Sequence, residues 1–127
     1  MKKIIQTPKA PAPIGPYSQA VLSGNTLFAS GQIAIDPATG QMDTVNIIRE
    51  TSQVMNNIQA LLEAAGMDFS HVVKTSIFLS DMNNFSNVNE VYGQYFKDNF
   101  PARETVQVSR LPKDANVEIS VIAVKAP

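Results

Sequence analysis

Val117-Glu118-Ile119-Ser120-Val121-Ile122-Ala123-Val124 is the stretch that decides the fold. Its β-branched density reads as a strand, and alternation sends Val117, Ile119, Val121 and Ala123 to one face. Glu118, Ser120, Ile122 and Val124 point to the other. Neither set is a solvated polar face, so both sides of the sheet that holds this strand need cover.

Working outward, apolar residues recur at helical spacing through Ile48, Thr51, Val54, Met55, Ile58, Leu61, Leu62 and Ala65. That predicts a helix over 45–65, stopped by Gly66. Val72–Leu79 reads as a strand, and Asp81-Met82-Asn83-Asn84 offers caps for a second helix. The face of that helix is Phe85, Val88, Val91, Tyr92, Tyr95 and Phe96, and Pro101 bounds it. Glu104–Val108 is a strand, joined to the last one through the Leu111-Pro112-Lys113-Asp114 turn. Upstream, Ser18–Leu22 and Thr26–Ser30 flank Ser23-Gly24-Asn25 as a hairpin. A strand around Gln32–Ile35 is closed by the turn formers Asp36–Gly40, and the four prolines of residues 7–16 make a loop. The pattern is α+β, with two helices covering one face of a mixed sheet. No sequence remains for the second face, which predicts self-association about a closed axis.

Composition removes whole classes of function. A chain of 127 residues suits one domain, 1–127, and 44% apolar with 17% charged residues is a folding composition. A net charge of -1 gives no footprint for phosphate backbones, so nucleic acid is not an expected partner. No apolar region follows Lys2-Lys3 and no stretch approaches a membrane span, so a cytoplasmic protein is expected. Zero Cys removes thiolate nucleophiles and Cys-ligated zinc, and a single His71 cannot build a His-rich site. No metal or cofactor is expected, since glycine-rich nucleotide loops and metalloprotease motifs are also missing.

The polar residues left near strand ends are Tyr17, Ser30-Gly31-Gln32, Asn89, Arg103 and Glu118. Arg103 could bind a carboxylate through two parallel hydrogen bonds, although a surface ion pair is the commoner fate of an arginine. Glu118, set between Val117 and Ile119, is a candidate proton carrier with a raised pKa. The alternative is a buried ion pair with Arg103 or Arg110. Gly31 interrupts a strand, which signals a bulge or the close approach of a ligand. Tyr17 suits a cleft or an interface, and His71 reads as a surface residue with no role.

Taken together, Ala12-Pro-Ile-Gly-Pro-Tyr-Ser-Gln19, Ser30-Gly-Gln32, Asn57, Leu62-Glu-Ala-Ala-Gly66, Val88-Asn89 with Tyr92, Pro101-Ala-Arg103, Leu111-Pro-Lys113 and Val117-Glu-Ile119 form an ordered set. With that set the chain resembles the Rid/YjgF family, and within it the RidA branch of imine deaminases. The resemblance implies a chorismate-mutase-like fold and a homotrimer whose sheets form a central β-barrel with clefts between subunits. It implies hydrolysis of 2-iminobutanoate or 2-iminopropanoate to the 2-keto acid and ammonia, without a cofactor. Carried over by position, Arg103 grips the substrate carboxylate, Glu118 orients or activates the attacking water, and Tyr17 joins them at the cleft. Ser30, Gly31 and Asn89 shape that cleft, and Phe85 adds an apolar wall. Many relatives place Cys two residues after the arginine; here Thr105 stands there, read as a pocket wall and not a nucleophile. Two rival readings accompany the family: an endoribonuclease acting as a translation inhibitor, and a non-catalytic ligand-binding or chaperone-like trimer.

Overall fold

The computed structural model describes residues 2–126. Six strands form one mixed sheet in the order β1-β2-β3-β6-β4-β5: β1 Lys2–Ile5, β2 Ala20–Ser23, β3 Thr26–Ala29, β4 Val72–Leu79, β5 Ala102–Gln107 and β6 Val117–Val124. Among the described residues only the β4–β5 pair is parallel. Two helices, α1 (Ile47–Ala64) and α2 (Phe85–Gly93), lie on one face. β6 sits inside the sheet between β3 and β4, so its two non-solvated faces are those of a central strand.

The expected odd-numbered face of β6 is the core. Val117, Ile119, Val121 and Ala123 are buried beneath Val54, Met55, Ile58 and Leu62 of α1 and Val88 and Tyr92 of α2. Asn46 begins α1 by accepting a hydrogen bond from the Arg49 N–H at 2.9 Å. Gly66, at φ 72°, ends it, with Met67 N–H donating to Leu62 O and Gly66 N–H to Glu63 O. Ile48, placed on the core face by periodicity, is exposed. Glu50 takes an inward position instead, accepting from the backbone N–H and the side-chain amide of Asn116 at 2.7 and 2.8 Å.

Four further details differ from the sequence expectations. Lys2–Ile5 is an edge strand paired with β2; with four residues and only Ile5 buried, it carries almost no period to read. Gln32–Ile35 forms no regular strand. Single bridges join Gln32 to Ile119 and Ile35 to Met42, while the Ile33 and Ile35 carbonyls accept from Asn57 Nδ2 at 3.1 and 2.9 Å. The second helix stops at Gly93, after which Tyr95 and Phe96 bond back over three residues and swing onto Phe69. The far sheet face is also partly self-covered, because Ile33, Ile35, Leu111 and Ala115 pack with Phe78 at one end of it. Beyond that cap Ile4, Phe28, Val106 and Val124 remain exposed.

Candidate active site

The far face carries a cleft of about 360 Å³ beside the cap, walled by Pro11, Ile14, Tyr17, Ser30, Gly31, Pro112 and Glu118 among others. Three polar anchors build its walls. Gln19, buried, accepts from Thr7 N–H at 2.8 Å, and its amide donates to the carbonyls of Thr7, Ala10 and Pro11 at 2.9–3.1 Å. The Pro-rich loop thereby gains the partners its own prolines cannot supply. Ser30 Oγ donates to Ser18 O at 2.6 Å, which ties the loop that bears Tyr17 to the Gly31 segment. Asn57 holds that segment from behind.

Glu118 enters from β6 opposite Phe78. No cation pairs with it among the described residues: Arg103 bonds Asn89, and Arg110 pairs with Asp114 at 2.7 Å. The buried-ion-pair alternative is therefore not what forms. Half-buried and unpaired, its carboxyl is pushed above its ordinary 4.5 by desolvation. Gly31 explains how the carboxylate fits. A Cβ at residue 31 would lie 2.6 Å from Glu118 Oε2 and 2.9 Å from Cδ, so the missing side chain makes room for Glu118, and the register against β6 slips by one residue between the Phe28–Ile122 pair and the Gln32–Ile119 bridge, as at a bulge. Tyr17 is half-exposed at the rim, its hydroxyl accepting from Ile14 N–H at 3.3 Å.

Arg103 lies on the other face of the sheet. Its β4 neighbour is Thr75, which is buried under the helices, whereas Glu118 pairs with Phe78, three residues along the same strand. An odd separation along a strand means opposite faces. The guanidinium lies 5.7 Å from the Phe85 ring centroid and 5.1 Å from that of Tyr92, and Nη1 donates to Asn89 Oδ1 at 2.7 Å. Among the described residues it meets no carboxylate, and its Nε–Nη2 edge has no protein acceptor. That edge has the spacing of a bidentate carboxylate site. Thr105 follows on the same face, with a buried hydroxyl that has no hydrogen-bond partner among the described residues.

The expected site residues thus fall into two groups: Tyr17, Ser30, Gly31 and Glu118 on one face, and Phe85, Asn89, Arg103 and Thr105 on the other. Phe85 and Asn89 contact Arg103 itself. Sequence reasoning gave Tyr92 and Gln19 no role of their own. The spacing of Phe85, Asn89 and Tyr92 at i, i+4 and i+7 is the signal that puts all three on one helix face. His71 acts locally, its Nδ1 accepting from Asp68 N–H at 3.0 Å.

Residues 7–125 match the family described as Endoribonuclease L-PSP. A human protein named 2-iminobutanoate/2-iminopropanoate deaminase is 49% identical over 127 residues, all of this chain and 93% of that protein. Among solved structures, a Yersinia pestis protein of the conserved Rid family is 51% identical, covering 98% of this chain and 100% of that one, at a TM-score of 0.96. TdcF of E. coli, solved with bound serine, is 41% identical over 98% of this chain and 99% of that one, at a TM-score of 0.94. Agreement in sequence, along nearly the whole chain, and in backbone geometry establishes that this chain belongs to the Endoribonuclease L-PSP family, the Rid/YjgF family whose motifs it carries.

Proposed function

We propose that the protein is a cytoplasmic enamine/imine deaminase that hydrolyses small 2-imino acids, such as 2-iminobutanoate and 2-iminopropanoate, to 2-keto acids and ammonia. The observation that carries this reading is the pairing of an unsatisfied guanidinium edge at Arg103 with an unpaired, half-buried carboxylate at Glu118. Because the two lie on opposite faces of one chain, a single substrate meets both only where two copies join. The exposed Ile4, Phe28, Val106 and Val124 of the far face give such copies an apolar surface to share, which supports a homotrimer closed around its sheets.

In this scheme Arg103 of one subunit holds the 2-carboxylate, and the neighbour's Tyr17, Ser30 and Gly31 bound the small side chain. Glu118 accepts a proton from water, whose oxygen bonds to C2 while the imine nitrogen takes up a proton, giving a carbinolamine. A second proton reaches the nitrogen, the C–N bond breaks, and the hydroxyl proton is lost as the ketone forms. The net change is one water consumed and one ammonia released. An imine is already electrophilic, so the protein's contribution is placement, which is worth several kcal/mol when reactants are pre-oriented. The family description points to RNA cleavage, but the lining that one subunit gives the cleft contains no Lys, Arg or His among the described residues, which leaves Arg103 of the neighbour as the scheme's one cation, and a net charge of -1 gives no wider footprint for a phosphate backbone.

Adding the protein to a threonine dehydratase reaction should speed 2-ketobutyrate formation. Arg103→Ala should remove that gain, the loss of a charge-assisted pair amounting to about 100-fold in kcat/KM. An Arg103→Ala variant as fast as the parent sinks the proposal. RNA cleavage by highly purified, chelator-treated protein, dependent on a named cleft residue, would favour the rival instead.

A further inference from the structure

Tyr92 is tied to Arg103 from two directions. Its ring centroid lies 5.1 Å from the guanidinium carbon, and its hydroxyl donates to Thr75 Oγ1 at 3.0 Å. Thr75, fully buried, is the residue opposite Arg103 in the β4–β5 ladder. The contacts therefore close a ring: across the ladder from Arg103 to Thr75, through the hydroxyls to Tyr92, and from the aromatic face back to the guanidinium. Phe96 packs behind Tyr92 at 4.8 Å between centroids, which keeps that ring from tilting away. Desolvation raises the phenol's pKa, so it stays a donor.

Phe at 92 and Val at 75 would fill nearly the same volume with no polar atom to satisfy. Two hydroxyls bonded in the core instead fix one ring orientation and one depth of α2 on the sheet. Asn89, one turn earlier on α2, shares that depth and holds Nη1. We infer that Tyr92 and Thr75 are positioning residues: their hydrogen bond sets the surface on which the Arg103 guanidinium rests, aiming its open edge before a ligand arrives. The inference rests on the reading of Arg103 as the carboxylate anchor.

The test titrates 2-ketobutyrate into the assembled protein by NMR, which reads weak binding, alongside kcat and KM in the coupled assay. Arg103→Ala comes first: unchanged product binding would sink the anchor reading itself, whatever Tyr92 does. With that loss in hand, Tyr92→Phe and Thr75→Val, which keep the shape, should each weaken product binding about three- to tenfold. KM should rise in parallel, with kcat within about twofold. Tyr92→Leu, which also removes the ring, should reach about thirtyfold. In an Arg103→Ala background none of the three should weaken binding further. Equal losses with and without Arg103 would show a merely structural role and overturn the inference. So would parent-like binding in all three variants while Arg103→Ala is defective.

Discussion

Gly31→Ala tests the site by moving a carboxylate without deleting it. The new Cβ would sit 2.6 Å from Glu118 Oε2, and ordinary contact begins at 3.4 Å, so the carboxylate must retreat by about 0.8 Å. The backbone of Gly31 lies outside the left-handed region, so alanine introduces no φ strain. Because the clashing group is the end of a half-buried side chain, the cost to folding should fall below the 1–3 kcal/mol of core overpacking. The stiffer unfolded chain offsets about 0.4–1 kcal/mol of it. Stability should therefore stay within about 1 kcal/mol of the parent. Catalysis should not, since misplacing a reacting group by about 1 Å costs up to about 100-fold in rate, or roughly 2.7 kcal/mol. Measured by 2-ketobutyrate formation, Gly31→Ala should lose about 10- to 100-fold in kcat and still bind 2-ketobutyrate through Arg103. Parent-like kcat in a folded Gly31→Ala protein would refute the placement of Glu118 beside the reacting centre.

Three more outcomes are expected from the same structure. Burial raises the Glu118 pKa above 4.5, so the folded protein carries a penalty for the charged form that is absent below the ordinary range and develops as pH rises through the shifted value. Glu118→Gln should accordingly raise Tm at neutral pH, with the gain shrinking toward pH 4, while parent activity falls as Glu118 is protonated, at a midpoint above 4.5; a Tm gain independent of pH would contradict the assignment. Thr105→Val replaces an orphaned hydroxyl by a methyl and should leave stability unchanged or improve it by about 1 kcal/mol in urea unfolding. A loss above that would mean the hydroxyl has a partner in the assembly. Asn57→Leu strands the Ile33 and Ile35 carbonyls, and urea unfolding should report about 2–4 kcal/mol of destabilisation, together with reduced kcat from a loosened Gly31 segment.

Periodicity revealed β6, β4 and both helices because each buries one regular stripe against the other layer. It failed where polar groups replace regular pairing. Asn57 satisfies the carbonyls of residues 33 and 35, so an apolar run resembling a strand runs beside the sheet almost without ladder bonds. Glu50 and Ile48 exchange the roles hydropathy gives them, because Asn116 supplies the buried carboxylate with two donors from a part of the chain distant in sequence. Within the site, Arg103 and Glu118 were visible as residue types at strand ends. Their placement on opposite faces depends on the register of β5 and β6 against β4, which no local pattern encodes.

That separation makes the central claim directly measurable. If the protein assembles as the proposed trimer, Arg103→Ala and Glu118→Gln subunits that are co-expressed with different tags and purified through both tags will be recovered only as mixed trimers. If each site draws Arg103 from one subunit and Glu118 from its neighbour, every mixed trimer contains one intact site of three. Two individually inactive variants should then yield about one-third of parent activity. Hybrids as inactive as either variant alone would contradict the shared site, and with it the account of how this chain holds and hydrolyses an imino acid.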